Sequence, residues 1–377
     1  MNVLDLPHPS TPATPGDDLV SLLHAAGLDG RGGGGFSTAT KIEQARRYRA
    51  RLIVNGCDGE IGADKDTAVL THRLDEVLRA VALVAAPSAR FAVHRDSPVA
   101  GHLRRNGLDV LEVPDRYVSS EASALVSLAA GGDARPLAKR TRLVQGAVTA
   151  SSRRLPPTLV LNAETMLRIA QIAEHGPQWF RAQGTPTEPG PRLVTIGGAV
   201  RSPGVFETTA GADLAAVLDA AGFAGGHVHA GGLSGGWVPA HAVPSTTWSG
   251  EGLAPFGAGI GAGTLHVLDE GACPLSYVST LARYAAGQSA GQCGPCMFGL
   301  PAVAEDLHLV LGGDAAALAR LRHRIANLYG RGACHFPDGV AALLASTLTI
   351  FEPVVQAHLD RRCRLDHSGQ RPLGGQR

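Results

Sequence analysis

The chain has 377 residues, 44% hydrophobic and 18% charged, with a formal net charge of +1 at pH 7. That length suits two or three domains, and the composition excludes disorder of the whole chain. The balanced charge excludes a global basic field for nucleic acid, and neither a membrane-length apolar run nor a basic-then-apolar secretory start is present, so a cytoplasmic protein that does not span a membrane is expected.

Residues 1–15 are rich in Pro and Thr and read as a loose lead-in. A short helix is predicted over 17–26, then a glycine loop from Gly30 to Gly35, then a helix over 41–50. Residues 51–55 (RLIVN) form a buried strand. Apolar residues at helical spacing predict a helix over 66–85. Strand, helix and strand follow over 90–94, 99–105 and 109–113, then a helix over 120–130. This alternation predicts an α/β layer with a largely parallel sheet. Residues 131–160 read as irregular, 162–175 as helix and 185–191 (TPTEPGP) as a linker.

Beyond the linker the pattern changes. Strands at 193–200 and 205–208, a helix at 213–221 and strands at 227–230 and 237–239 describe a small β-grasp-like unit. From 264 onward the chain reads as helices over 274–286, 295–311, 314–328, 337–348 and 351–361, with a frayed tail from 361. His227 and His229 share one strand face, as a metal pair or a solvated strand edge. No G-x-S-x-G elbow appears, so a Ser/His/Asp triad is not supported.

Six cysteines are too few for a disulfide scaffold, so close pairs read as metal ligands or redox groups. Cys293-Gly294-Pro295-Cys296 enters a helix, and Cys334 stands before another. Such thiolates can hold an iron–sulfur cluster, a zinc ion, or act as a thioredoxin-like pair. Cys363, in an arginine-rich segment, reads as a free exposed thiol. Lysine occurs only at positions 41, 65 and 139, and two of these lie in glycine-rich motifs. The loop Gly30-Arg31-Gly32-Gly33-Gly34-Gly35 followed by Phe36 and Lys41 suits an anion held by backbone N–H groups, or a flexible surface loop. It is neither a Walker loop nor a clean dinucleotide fingerprint. Asn55-Gly56-Cys57-Asp58-Gly59-Glu60-Ile61-Gly62 follows a strand. There it forms either a ligand crevice or a simple Asx turn.

Taken in order, these motifs resemble the NADH-binding flavoprotein component of respiratory complex I, a module shared with NAD-linked hydrogenases and formate dehydrogenases. The family's G-R-G-G-A-G-F-P-T-G-x-K is matched by G-R-G-G-G-G-F-S-T-A-T-K from Gly30 to Lys41. N-A-D-E-G-E-P-G-x-x-K-D is matched from Asn55 to Asp66, Y-x-x-G-E-E-T-A-L from Tyr117 to Leu125, and P-T-T-V-N-N-V-E-T from Pro157 to Thr165. S-C-G-x-C-x-P-C-R-x-G is matched by S-A-G-Q-C-G-P-C-M-F-G from Ser289 to Gly299.

The resemblance implies a Rossmann-like α/β FMN-binding domain over 1–185 and a β-grasp domain of the soluble-ligand-binding (SLBB) type over 190–255. A helical-bundle iron–sulfur domain over 264–362 and a tail over 363–377 would follow. It implies FMN, NADH and a [4Fe–4S] or [3Fe–4S] cluster, with electrons leaving to a ferredoxin-like or thioredoxin-like iron–sulfur partner. By this resemblance Gly30, Arg31, Gly32, Phe36, Lys41, Asn55, Asp58, Asn162 and Thr165 hold the cofactor, Glu60, Tyr117 and Glu121 serve the nicotinamide and flavin chemistry, and Cys293, Cys296 and Cys334 hold the cluster.

The chain also departs from the family. The first cluster cysteine is Ala290, so the cluster would keep three thiolates, as [3Fe–4S] or as [4Fe–4S] with a non-Cys or external fourth ligand; Cys273 and His335 are candidate substitutes, each read first as an ordinary packed or exposed residue. Cys57 replaces an Asp, Asp58 a Glu, Ala122 the second Glu of the acidic pair, and Leu161 one of two Asn residues. Fewer carboxylates near the flavin would raise its potential and weaken recognition of the NADH hydroxyls. Two other readings follow from these losses. One is a family member reduced to a binding or scaffold role. The other is a reductase fed by a different donor, with Cys57 as a redox thiol.

Overall fold

The computed structural model describes residues 18–137, 142–149 and 151–368. The expected lead-in, Lys139 and the end of the expected tail lie outside them. Contacts divide the chain into two units, one of Met1–Gly59, Ala63–Thr195 and Val205–Ala212, the other of Glu60–Gly62, Ile196–Gly204 and Asp213–Arg377.

The first unit is built on four parallel strands in the spatial order Val110–Val113, Ala89–His94, Arg51–Asn55, Thr158–Asn162. The central strands read as near-continuous apolar runs because helices cover both faces. Leu52 and Val54 point into one core with Leu70, Val77, Phe91, Met166 and Ile169, while Ile53 points into another with Ala92, Leu111 and Leu125. From Arg51–Asn55 the chain first adds strands on one side and later returns to add Thr158–Asn162 on the other. That reversal is a topological switch point, where the carboxyl ends of parallel strands open a crevice.

Several sequence expectations shift. The stretch read as irregular ends inside the strand Thr158–Asn162, whose start is obscured locally by Pro156 and Pro157 and which forms only by its long-range pairing with Arg51–Asn55. The helix expected over 66–85 is two helices, Lys65–His72 and Leu74–Val84, broken at Arg73, whose φ and ψ are −131° and 31°. The helix expected to end at 175 runs as Ala163–Arg181 with a kink at Gly176, because Pro177 has no N–H to continue the ladder. The expected linker is pinned. Gly184 bridges Pro189, and Gly190 N donates to Gln183 O at 2.8 Å.

The second unit carries the antiparallel strands His227–Ala230, Gly236–Val238 and Thr264–Leu268. Helices Pro274–Gly287, Leu300–Leu311, Ala315–Leu328, Phe336–Ile350 and Glu352–Leu359 follow. Trp237 ties the two layers: its backbone N donates to Ser346 Oγ at 3.2 Å and its indole to Thr347 Oγ1 at 3.0 Å. His227–Ala230 lies between the other two strands, so it is not the solvated edge expected for its histidines. His229 is buried, its Nδ1 bonded to the Tyr277 hydroxyl at 3.1 Å, and His227 Nδ1 accepts from Ala240 N at 3.2 Å. Among the described residues no single helix is long and apolar enough to cross a membrane.

Candidate flavin crevice and thiol cluster

Asn55 and Asn162 are register partners at the carboxyl ends of adjacent strands, at the switch point. Asn55 Nδ2 donates to Ser120 O at 3.1 Å while its Oδ1 accepts from Cys57 N at 3.1 Å. Asn162 Nδ2 donates to Asp66 Oδ2 at 3.4 Å. The glycine loop closes above this pair. Gly30 N donates to Phe36 O at 3.0 Å, and Arg31 N to Thr165 Oγ1 at 3.0 Å. A Cβ on Gly32 would lie 2.3 Å from Asn162 Oδ1, so the loop backbone rests against that amide. Gly32→Ala is therefore expected to cost about 1–3 kcal/mol in urea unfolding. A loss below about 0.5 kcal/mol, the ordinary scatter of surface changes, would show the contact to be slack.

The cations of the loop divide their work. Arg31 is buried and turns inward, its Nη2 donating to Pro189 O at 2.8 Å and to Pro191 O at 3.3 Å, with its guanidinium 5.7 Å from the Phe180 ring centre. Burial and the nearby Arg192 pull it down to about 9. Lys41 forms no ion pair among the described residues. Its Nζ lies 5.4 Å from the centre of the Phe36 ring, and burial lowers its pKa against the pull of Asp29. Thr38 Oγ1, at the start of the helix Thr38–Arg47, is fully buried and finds no partner among the described residues. Phe36 is exposed.

The acidic residues mostly serve backbone. Buried Asp58 accepts from Asp66 N at 3.0 Å and Thr67 N at 2.6 Å, capping the helix Lys65–His72. Burial raises its pKa against Lys65 and those two N–H groups. Glu121 caps Ala122–Ala129 by accepting from Ser123 N at 2.8 Å and Ala124 N at 3.3 Å. Tyr117 opens a 3-10 turn to Ser120, and Gly59 passes so close that a Cβ there would lie 1.7 Å from Ser120 Oγ. Cys57 is buried in the core with its thiol 3.5 Å from Ala92 O, which removes the exposure a redox thiol needs. Glu60 belongs to the second unit, where its Oε1 accepts from Leu233 N at 2.7 Å.

Sequence reasoning missed the ionic centre beneath the crevice. Lys65, Asp66 and Glu164 are all buried, with Lys65 Nζ 2.7 Å from Glu164 Oε2 and 3.3 Å from Asp66 Oδ2. Asp66 Oδ1 accepts from Glu164 N at 2.8 Å, and Glu164 Oε1 from Leu193 N at 2.7 Å. Burial pushes Asp66 up to about 6. Burial also opposes ionisation of Glu164, but Lys65, Arg168 and Arg31 outweigh it and leave that pKa lowered. The available signal was the rare lysine beside an apolar helical face.

In the second unit Cys293, Cys296 and Cys334 come together. The Cys296 thiol is pushed up to about 12 by burial, by the Cys293 thiol that hydrogen-bonds it and by Cys334. None of them is in a disulfide. Ala290 supplies no donor, and the two suggested substitutes are engaged elsewhere. His335 is exposed, with Nδ1 3.1 Å from Asp338 Oδ2, and Cys273 Sγ lies 3.3 Å from His358 Nε2. Cys363 is half-buried, not the exposed thiol expected, and it interacts with Cys273.

Comparison with known proteins matches both the segment that carries the crevice and the segment that carries the thiols. Residues 23–171 match the family profile of the Nuo51 FMN-binding domain, and residues 276–358 that of the NADH-ubiquinone oxidoreductase-F iron–sulfur binding region. Similar proteins include an NADH-quinone oxidoreductase chain of Rhizobium meliloti, 26% identical over 92% of this chain and 90% of that protein. An NADH-quinone oxidoreductase chain of Streptomyces coelicolor is 28% identical over 93% of this chain and 85% of its own length. Among solved structures, a chain of NAD+-reducing [NiFe]-hydrogenase in the H2-reduced state superposes with a TM-score of 0.82 at 28% identity over 90% of this chain. The match spans 62% of that hydrogenase chain.

Proposed function

Since the chain belongs to the family of NADH-binding flavoproteins that serve complex I and NAD+-reducing hydrogenase, we propose that it is an NADH:acceptor oxidoreductase. Electrons pass from NADH through FMN to an iron–sulfur cluster and on to a ferredoxin-like or thioredoxin-like iron–sulfur partner. The carrying observation is the pair Asn55 and Asn162 at the switch point, with the Gly32 backbone laid against Asn162.

The residues present fit a phosphate-bearing flavin. Lys41 is a mostly buried cation without an ion pair among the described residues, and Thr38 Oγ1 is an orphaned buried hydroxyl at a helix start. Gly30, Gly32 and Lys41 hold the phosphate side, while Asn55, Asn162 and Thr165 set the crevice floor. Phe36 and Tyr117 serve the nicotinamide side. Arg31, Asp58 and Glu121 act through the backbone they pin. Three close thiols outside any disulfide suit an iron–sulfur cluster. FMN bound there would supply the means to accept a hydride as two electrons and to pass them on one at a time. In domain terms, 1–185 is the flavin module, 190–255 a β-grasp unit of the SLBB type and 264–362 the helical cluster module. A binding-only role is not favoured, because both the flavin and the iron–sulfur segments match their families.

The test is anaerobic. Protein reconstituted with FMN, iron and sulfide is expected to show a flavin band near ~450 nm that bleaches when NADH is added. Cys293→Ser should lose the iron and keep the flavin. Bound flavin that NADH leaves oxidised would overturn the donor assignment. Failure to take up flavin would overturn the whole reading.

A further inference from the structure

We propose that Cys273, His358, Cys363 and His367 form a mononuclear zinc site, separate from the Cys293–Cys296–Cys334 cluster, that fastens the chain after the last helix. The ligand atoms of these four residues all lie within 4.8 Å of one another. Cys273 Sγ and His358 Nε2 are 3.3 Å apart. Zinc bonds of about 2.0–2.3 Å at tetrahedral angles require donor atoms about 3.3–3.8 Å apart, so the set is within a small adjustment of closure.

The backbone sets these donors in place. Cys273 caps the helix Pro274–Gly287, and His358 stands near the end of Glu352–Leu359. The segment carrying Cys363 and His367 is laid against the first of these by a bridge between Ala272 and Asp366. Cys273 N donates to Asp366 O at 2.8 Å, Asp366 N to Gly271 O at 2.8 Å, and Ser276 Oγ to His367 O at 3.0 Å.

The chemistry suits zinc. His358 Nδ1 lies 3.1 Å from Leu311 O. A carbonyl can only accept, so Nδ1 carries the proton and Nε2 presents its lone pair toward Cys273. That is the second-shell arrangement of a metal-binding histidine. Cys273 and His358 are buried, and neither Cys273 nor Cys363 is in a disulfide. Two thiolates, two neutral imidazoles and Zn²⁺ sum to zero charge, which lowers the cost of burying the site. A [2Fe–2S] cluster with the same donor types places thiolates and imidazoles on different irons, whereas here a thiol and an imidazole meet at 3.3 Å. Four protein donors leave no open position, so the site is structural.

The test is metal analysis of the full chain, purified and dialysed against a weak chelator, beside Cys363→Ser, His367→Gln and Cys293→Ser. About one zinc per chain is expected in the parent, and less than about a tenth of that in the first two variants. Cys293→Ser should keep the zinc. Co²⁺ added to metal-free parent should give the visible bands of a tetrahedral thiolate site, absent from Cys363→Ser. Three outcomes would overturn the proposal: a parent that holds neither zinc nor Co²⁺; zinc retained in Cys363→Ser but lost in Cys293→Ser; or iron–sulfur absorption lost in Cys363→Ser. This readout does not depend on flavin or NADH, so it can fail while the proposed activity stands.

Discussion

Replacing Lys65 with methionine is expected to destabilise the first unit by about 3–5 kcal/mol and to abolish flavin retention. Lys65 is 1% exposed and lies against Asp66 and Glu164, with Asp58 also acting on it. Burial alone would lower the lysine's pKa. Its carboxylate neighbours outweigh that and leave the pKa raised, so the ammonium stays charged. Methionine conserves much of the volume and removes only the charge. Three carboxylates then face one another in a site that water does not reach. The effect reaches the crevice because Asp66 holds the Asn162 amide and the backbone N–H of Glu164, and Asn162 backs Gly32.

Urea unfolding at pH 7 with and without FMN measures the loss. The deficit should shrink as pH falls toward 5. Asp66 is already pushed up to about 6 by burial, and without Lys65 it protonates more readily still. A variant within about 1 kcal/mol of the parent would mean that water reaches the site and screens it.

The second large effect concerns pH and the second unit. Burial and the neighbouring His266 pull His229 down to about 3, and burial pulls His266 down to about 4. Neither ring nitrogen of His266 has a hydrogen-bond partner among the described residues, and the ring stacks on Tyr277 with centroids 5.0 Å apart. The folded protein therefore keeps both rings neutral where the unfolded chain, at an ordinary 6.5, protonates them. The unfolded state binds more protons, so stability rises with pH. The contribution is complete above pH 6.5 and is lost as pH falls toward the folded values.

Between about pH 6 and pH 4 each ring contributes a slope of about 1.4 kcal/mol per pH unit. Asp66, raised on folding, acts with the opposite sign over part of the same window. The clean measurement is thus the difference between the parent and His266→Leu, in which Asp66 cancels. That difference should change by about 1.4 kcal/mol per pH unit. Parallel urea midpoints for the two proteins across this window would show that His266 is solvated in the folded state.

Much of this was legible along the chain, because it rests on local rules. The strand Arg51–Asn55 was read with its observed bounds, since a short apolar run before a polar turn leaves little choice. The glycine loop, the Asn55 turn and the C-x-x-C pair were visible because each carries its chemistry within about a dozen residues. Pairings between distant segments were not legible. Thr158–Asn162 becomes a strand only by lying beside Arg51–Asn55, and that pairing alone sets Asn162 next to Asn55. Arg31 and Glu121 looked like ligand groups because an exposed charge and a structural one have the same sequence; burial and capping separate them.

The cysteines make the same point. Residue type and order along the chain were enough for the family resemblance, for the order of the motifs and for singling out three thiols that the fold brings together. Order could not reveal that Cys273, Cys363 and two histidines from three segments converge, or that Lys65 closes a buried triad with Glu164. Those arrangements depend on which distant surfaces exclude water together, and only the folded chain specifies that.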